Sequence, residues 1–247
     1  MKTIEDIFDR MDHWRHFPSY QLERRADLYF SLYLPEVLGS RLGLKIQPNI
    51  IPEFPIRVGL LKEKRPDLFT KKNPRDDLSY KVDYAALSED GKSAVLVELK
   101  TEMRSKRDEQ DRYMEAAGDL PFKMIVEGIK QIFMATTLNR KYYCLLEYLE
   151  SMGQINIPPK MKMIIKRKTL QGIKEAAKDI EIKTKDGKPR IVYIQPKIKP
   201  KDQSPGTIIT FKDFCEIVEQ KYDDPLSLRF VRSLKEWSKN PAGSKSV

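Results

Sequence analysis

One short segment, residues 80–100, constrains the fold more than any other part of the chain. Two largely apolar runs, Tyr80–Leu87 and Ser93–Lys100, flank the polar sequence Ser88-Glu89-Asp90-Gly91-Lys92. An Asp-Gly pair between apolar runs is a strong signal for a β-hairpin. If the turn is centred on Asp90-Gly91, the numbers of paired residues add up to about 181, so Asp83 is predicted to lie opposite Glu98.

This register gives the hairpin a possible chemical function. Directly opposed side chains lie roughly 5 Å apart, and two carboxylates at that distance repel each other unless a cation lies between them. Hard divalent ions such as Mg²⁺ prefer carboxylate oxygens, and Lys100 projects from the same strand face as Glu98. The run 94–97 is apolar on both faces, which is typical of an interior strand. The sequence leaves two interpretations open: a metal site, or a structural cluster of ion pairs at the end of the sheet.

The tripeptide acid-any-lysine is not specific by itself, because it occurs five times in this chain. One other copy, Glu181-Ile182-Lys183, also lies on a plausible strand. The hairpin predicted around Asp186-Gly187, between runs 180–183 and 190–194, places no acid opposite Glu181. The argument for a site therefore depends on the predicted pairing of Asp83 with Glu98.

The rest of the chain predicts alternating helices and strands, which indicates an α/β domain with a central mixed β-sheet flanked by helices. We expect one domain over residues 1–247, with a core at about 20–196 and a C-terminal helical extension at about 207–238. Apolar spacing and cap signals predict helices near residues 4–15, 20–34, 124–133, 142–149, 211–222 (capped by Thr210) and 227–237, and a strand at 161–165.

The net charge of +10 comes from one segment. Residues 160–201 contain 14 Lys or Arg and 4 Asp or Glu, so their surplus equals that of the whole chain. A concentration of this kind is typical of proteins that bind a polyanion such as nucleic acid, although a solvated lysine-rich surface explains it equally well. The basic residues that we expect to contact nucleic acid are Lys160, Lys162, Lys166, Arg167, Lys168, Lys197, Lys199 and Lys201.

Composition argues against several other classes of protein. No run of apolar residues is long enough to span a membrane, and the first residues do not have the pattern of a secretory signal. The chain has two cysteines, Cys144 and Cys215, and two histidines, His13 and His16. These numbers favour a cytoplasmic protein and argue against a metal site built from thiolates or histidines.

The pattern Asp83, fourteen residues, then Glu98-Leu99-Lys100 on a hairpin resembles the signature of the PD-(D/E)XK nuclease superfamily, which has the restriction-endonuclease-like fold. Gln110 and Tyr113 resemble the glutamine and tyrosine that some members carry on the following helix, and Glu109 with Tyr113 is an alternative pair. Glu23 resembles an acid that some members place on the first core helix. The residue before Asp83 is Val82 rather than proline.

The resemblance implies a metal-dependent nuclease that hydrolyses phosphodiester bonds, with DNA favoured over RNA. Asp83, Glu98 and Lys100 would then be catalytic residues. Asp83, Glu98, Leu99 (through its carbonyl) and Glu23 would bind Mg²⁺ or Mn²⁺, and Gln110 and Tyr113 would support the site. Two alternatives remain: a nuclease-like module that binds nucleic acid without cutting it, or a scaffold whose basic segment binds a partner protein.

Overall fold

The computed structural model describes residues 3–69, 74–102, 108–167, 169–198 and 206–239. The helices within these residues are α1 (Ile4–Trp14), α2 (Glu23–Leu42), α3 (Val58–Lys64), α4 (Asp108–Gly118), α5 (Phe122–Ala135), α6 (Asn139–Ser151), α7 (Pro159–Lys166), α8 (Ile173–Ala177), α9 (Phe211–Lys221) and α10 (Pro225–Lys239). The strands are β1 (Ile46–Arg57), β2 (Ser79–Ser88), β3 (Ala94–Leu99), β4 (Ile155–Asn156), β5 (Glu181–Ile182), β6 (Arg190–Gln195) and β7 (Thr207–Thr210). None of the described helices is both long enough and apolar enough to cross a lipid bilayer.

The predicted α/β class is confirmed. Five strands form one sheet in the order β1-β2-β3-β6-β7. The sheet is mixed, because β2 and β3 form a hairpin whereas β6 and β7 run parallel, with Val192 opposite Thr207. Strands β4 and β5 form a separate antiparallel pair, in which Ile155 lies opposite Ile182.

The hairpin turn has the predicted register. The Ser88 N–H donates to the Ser93 carbonyl at 2.9 Å, and these two residue numbers add up to 181. Asp90 Oδ1 accepts hydrogen bonds from the Ser88 hydroxyl and the Lys92 N–H, at 2.6 and 3.1 Å. Gly91 has a φ of 66°, a conformation that glycine adopts without steric cost. The turn chemistry read from Asp90-Gly91 therefore fixes the pairing of the strands at this point.

The described residues group into two compact units. The first contains Met1–Ile50, Val97–Asp111 and Ile191–Val247. Its core includes the rings of Phe30, Phe214 and Phe230, with centroid distances of 5.2 Å from Phe30 to Phe214 and 5.1 Å from Phe30 to Phe230. As predicted, Thr210 caps α9: its hydroxyl accepts from the Asp213 N–H at 3.1 Å.

The second unit contains Ile51–Leu96 and Arg112–Arg190. Helix α5 buries the predicted apolar face, including Ile125, Ile129 and Phe133, and the rings of Phe54 and Phe122 stack at 5.8 Å. Burial of this face explains why the helical spacing in the sequence predicts α5 well.

Two predicted strand arrangements in the second unit are wrong. Residues 161–165 belong to helix α7, which buries Met161 and leaves Met163 52% exposed. Pro159 at the start of α7 suits the first turn of a helix, where no N–H donor is needed. Strand β5 pairs with β4 rather than with β6. Next to this pair, the N–H of Lys183, which follows β5, donates to the carbonyl of Gln154, which precedes β4, at 2.8 Å. The predicted hairpin around Asp186-Gly187 is therefore absent from the described residues.

Candidate active site

Glu98 and Lys100 form a buried ion pair at the end of a central strand. The all-buried run 94–99 makes β3 an interior strand, and the Lys100 N–H continues the ladder by donating to the Ile194 carbonyl at 2.8 Å. Only 2% of Glu98 and 4% of Lys100 is exposed. Lys100 Nζ donates to Glu98 Oε1 at 2.5 Å. The pair is thus held in place by the sheet and shielded from solvent.

The second carboxylate oxygen of Glu98 is not satisfied in the same way. Oε2 is buried and has no hydrogen-bond partner among the described residues. A buried polar atom without a partner is costly, and such atoms in a native fold are often explained by a functional role or a bound ion. Glu98 therefore has one oxygen available for a ligand.

Glu23, the first residue of α2, lies in the same environment. Burial raises the pKa of its carboxylate, against the opposing effects of Lys100 and of the Thr101 backbone. Burial also raises the pKa of Glu98, and the charges of Glu23 and Asp111 add to this effect while Lys100 opposes it. The structure therefore brings Glu23, Glu98 and Asp111 into one electrostatic environment with Lys100.

Asp83 lies on β2 in the second unit, and its side chain is half-buried. The neighbouring Val82 and Tyr84 are buried, as the alternation of the strand and its position in the sheet require. The hydrogen bond between Ser88 and Ser93 confirms the predicted register at the turn, which lies five residues from Asp83 along β2.

The remaining predicted site residues have separate surroundings. Leu99 is the last residue of β3, and its side chain is fully buried. On α4, Gln110 is half-buried and its Oε1 has no hydrogen-bond partner among the described residues. The Tyr113 ring packs against Phe69 and Tyr80, with centroid distances of 5.6 and 4.8 Å. Tyr113 thus contributes to packing, and the Glu109 side chain lies outside the described part of the structure.

The predicted basic residues are exposed wherever the structure describes them. Lys160, Lys162 and Lys166 project from α7, and Arg167 follows it. Lys162 forms an ion pair of 2.7 Å with Glu150. Lys197, in the first unit, is exposed just after β6. Lys168, Lys199 and Lys201 lie outside the described residues.

Sequence reasoning missed two residues of this environment. Asp111 raises the pKa of Glu98 from the first turn of α4, and the Thr101 backbone lowers the pKa of Glu23. Thr101 follows Lys100 directly, so its proximity could have been inferred from the strand. Asp111 could not, because its position depends on the path of the chain between Glu102 and α4.

The donor types suit a hard cation, but the described residues hold no complete ligand cage. Mg²⁺ and Mn²⁺ accept carboxylate oxygens such as those of Glu98 and Glu23, and Glu98 Oε2 has no hydrogen-bond partner within the ranges that the structure describes. No group of three or more His, Cys, Asp or Glu side chains within the described ranges is arranged to bind a metal ion. Mg²⁺ commonly keeps several water ligands and needs only one or two protein carboxylates, so the set is compatible with that ion.

Comparison of the chain with protein-family models, with curated protein sequences and with solved structures finds no match.

Proposed function

We propose that this protein is a metal-dependent nuclease that hydrolyses phosphodiester bonds, with DNA as its preferred substrate. The observation that carries the proposal is the state of Glu98. Its carboxylate is buried at the end of a central strand, with one oxygen bound to Lys100 and the other without a partner among the described residues. A buried ion pair of this kind costs free energy unless further groups satisfy its remaining oxygen, which favours a functional role.

The residues that would hold Mg²⁺ or Mn²⁺ are Glu98, the Leu99 carbonyl and Glu23. Asp83 joins this set through the hairpin register that the sequence predicts. When bound, the ion would lower the pKa of a coordinated water molecule and neutralise negative charge on the scissile phosphate.

Lys100 has the chemistry to orient the attacking water and to stabilise the negative charge that develops on the phosphate. Its ammonium group is 2.5 Å from Glu98 Oε1, so it does not need to reorganise when that charge appears. Burial lowers the local dielectric constant and strengthens this interaction. In this proposal Glu98 also acts as the residue that positions Lys100.

The exposed basic residues of α7 would contact the phosphate backbone. Such contacts are independent of sequence and weaken steeply as salt concentration rises. Gln110 would support the site through its side-chain oxygen, which no described residue binds. Tyr113 would stabilise the start of α4 by packing against Phe69 and Tyr80.

The direct test is a cleavage assay on single-stranded DNA, double-stranded DNA and RNA with Mg²⁺ or Mn²⁺, and with EDTA as the metal-free reference. We expect the wild type to cut at least one substrate and Glu98→Gln to lose that activity. Glu181→Gln is a matched control, because Glu181 belongs to the same acid-any-lysine pattern as Glu98 but is exposed. Its Oε2 lies 3.8 Å from Lys183 Nζ. Failure of the wild type to cut any substrate, together with no metal binding by calorimetry, would refute the proposal.

A second candidate is a module that binds nucleic acid without cutting it. It is favoured by the exposed cations of α7 and by the lack of a complete metal cage within the described ranges. Binding of nucleic acid that Asp83→Ala leaves unchanged, with no cleavage by the wild type, would support this candidate instead.

A further inference from the structure

A small pocket in the second unit lies between α6 and the residues that follow α7. It has a volume of about 200 Å³. Ile165, Leu170 and Tyr143 supply apolar surface, whereas Arg140 and Glu147 supply charge. Drug-sized ligands occupy pockets of roughly 300–1,000 Å³, so this pocket suits a smaller group such as a single aromatic ring system.

The surroundings of the pocket favour a ligand that carries negative charge outside it. Lys166 lies next to the lining residue Ile165, and Arg167 follows. Both side chains are exposed, and neither forms an ion pair with a described residue. An apolar pocket next to exposed cations matches the two halves of a nucleotide, since bases stack on apolar and aromatic surfaces while phosphates bind Lys and Arg.

The polar side of the pocket carries a carboxylate. Glu147 lines the pocket and is exposed, and burial together with the neighbouring charge of Glu147 raises the pKa of Tyr143 to about 12. A carboxylate can accept N–H donors from the edge of a base. The pocket thus combines an apolar interior with a hydrogen-bond acceptor.

We infer that this pocket binds one unstacked base of a single-stranded nucleic acid, while Lys166 and Arg167 bind the adjacent phosphates. The inference rests on the proposed nucleic-acid substrate and adds a site that lies apart from Glu98 and Lys100 in the sequence. In this inference, α6 and α7 bind nucleic acid that is single-stranded or a duplex that is locally opened.

The two cysteines make the inference directly measurable. Cys144 lines the pocket and is exposed, whereas Cys215 is buried in the first unit. A maleimide reagent should therefore label Cys144 selectively in the folded protein. We propose to measure the rate of Cys144 labelling by peptide mass spectrometry, in EDTA to prevent cleavage, with increasing concentrations of a single-stranded oligonucleotide.

We expect saturating oligonucleotide to slow the labelling of Cys144 severalfold, and inorganic polyphosphate of equal charge to have little effect. Lys166→Glu should weaken oligonucleotide binding and reduce the slope of log affinity against log salt by about one. Lys185→Glu is the matched control, because Lys185 is also an exposed lysine of the second unit but, unlike Lys166, is not adjacent in sequence to a residue that lines the pocket.

A second pair of variants tests whether the base enters the pocket. Cys144→Trp fills the pocket and should weaken oligonucleotide binding about five- to a hundredfold, the range expected when one stacked base is lost. Ser151→Trp places the same side chain at an exposed position of α6 outside the pocket and should leave binding unchanged. Both positions are on the surface, so neither variant should prevent folding.

Four results decide the question. Equal protection of Cys144 by polyphosphate would overturn the inference, because it would show that charge alone covers the pocket. Equal protection by a nucleoside monophosphate would overturn the assignment to a nucleic-acid strand. Oligonucleotide binding without protection would also overturn it, while leaving the proposed nuclease function standing. Protection without any cleavage in Mg²⁺ or Mn²⁺ would support the inference and remove the nuclease proposal.

Discussion

Replacement of Lys100 by methionine tests how far the buried pair controls the stability of the site. Methionine keeps most of the side-chain volume but removes the ammonium group that lies 2.5 Å from Glu98 Oε1. Glu98 would then be a buried carboxylate without its cation, near the negative charges of Glu23 and Asp111. Breaking a buried pair from one side commonly costs about 3–5 kcal/mol.

Protonation of Glu98 sets an upper limit to this cost. A glutamate has an ordinary pKa of 4.5, and each unit of pKa corresponds to about 1.36 kcal/mol, so holding Glu98 neutral at about pH 7 costs about 3.4 kcal/mol. Burial already raises the pKa of Glu98 in the wild type, so part of this cost is present before the substitution. We therefore expect Lys100→Met to lower the free energy of unfolding by about 2–3 kcal/mol at neutral pH.

The cost should also depend on pH with a defined sign. Removal of Lys100 raises the folded-state pKa of Glu98 further, so the folded variant holds a proton that the unfolded chain has lost. Stability is then lost as pH rises from 4.5 through the raised folded pKa, and the difference from wild type should shrink as pH falls toward 4.5. Below that value both states are protonated and the penalty disappears.

Urea unfolding followed by circular dichroism at several pH values measures this difference. The control is Lys183→Met, because Lys183 lies 3.8 Å from Glu181 in the same tripeptide pattern, with the two side chains 50% and 63% exposed. An exposed pair contributes less than about 1 kcal/mol. The double variant Glu98→Gln/Lys100→Met should regain much of the lost stability, because it removes both charges. A Lys100→Met cost no larger than that of Lys183→Met, or one independent of pH, would refute the reasoning.

Two further predictions concern the first unit. Arg229 is buried and forms an ion pair of 2.9 Å with Asp12, so Arg229→Met should lower the free energy of unfolding by about 3 kcal/mol. Arg232 is exposed, so Arg232→Met should lower it by less than about 1 kcal/mol. Urea unfolding measures both, and equal losses would contradict the role of burial. Gly206→Ala should lower the free energy of unfolding by about 1–3 kcal/mol, because a Cβ at Gly206 overlaps the carbonyl of Ile191. An unchanged urea midpoint would show that β7 can move away from Ile191.

Features that depend on neighbouring residues are the ones that the sequence predicts correctly. The turn at Asp90-Gly91 is confirmed because its geometry needs only two residues with suitable backbone freedom. The Thr210 cap is confirmed because its partner Asp213 is three residues away. Both rest on interactions within one turn of the chain, so distant residues have little influence on them.

The predictions that were wrong depend on which distant segment of the chain packs against, or pairs with, the residues concerned. Residues 161–165 alternate in polarity over too short a length to separate a strand from a helix, and the structure forms α7 there with Met161 buried. Glu181-Ile182 is a strand as expected, but its partner is β4. Strand pairing depends on which edge is free in the folded chain, and that information is not local.

The candidate site shows the same division. By itself, the sequence determined that Glu98 and Lys100 share a strand end behind an apolar run, since strand alternation and run length are local properties. Only the tertiary structure decided that this pair is buried, that Glu98 keeps one oxygen with no hydrogen-bond partner in the described part of the chain, and that Glu23 and Asp111 share its electrostatic environment. The physical reason is that burial and the charges surrounding a group depend on chain segments that are distant in sequence and meet only when the protein folds.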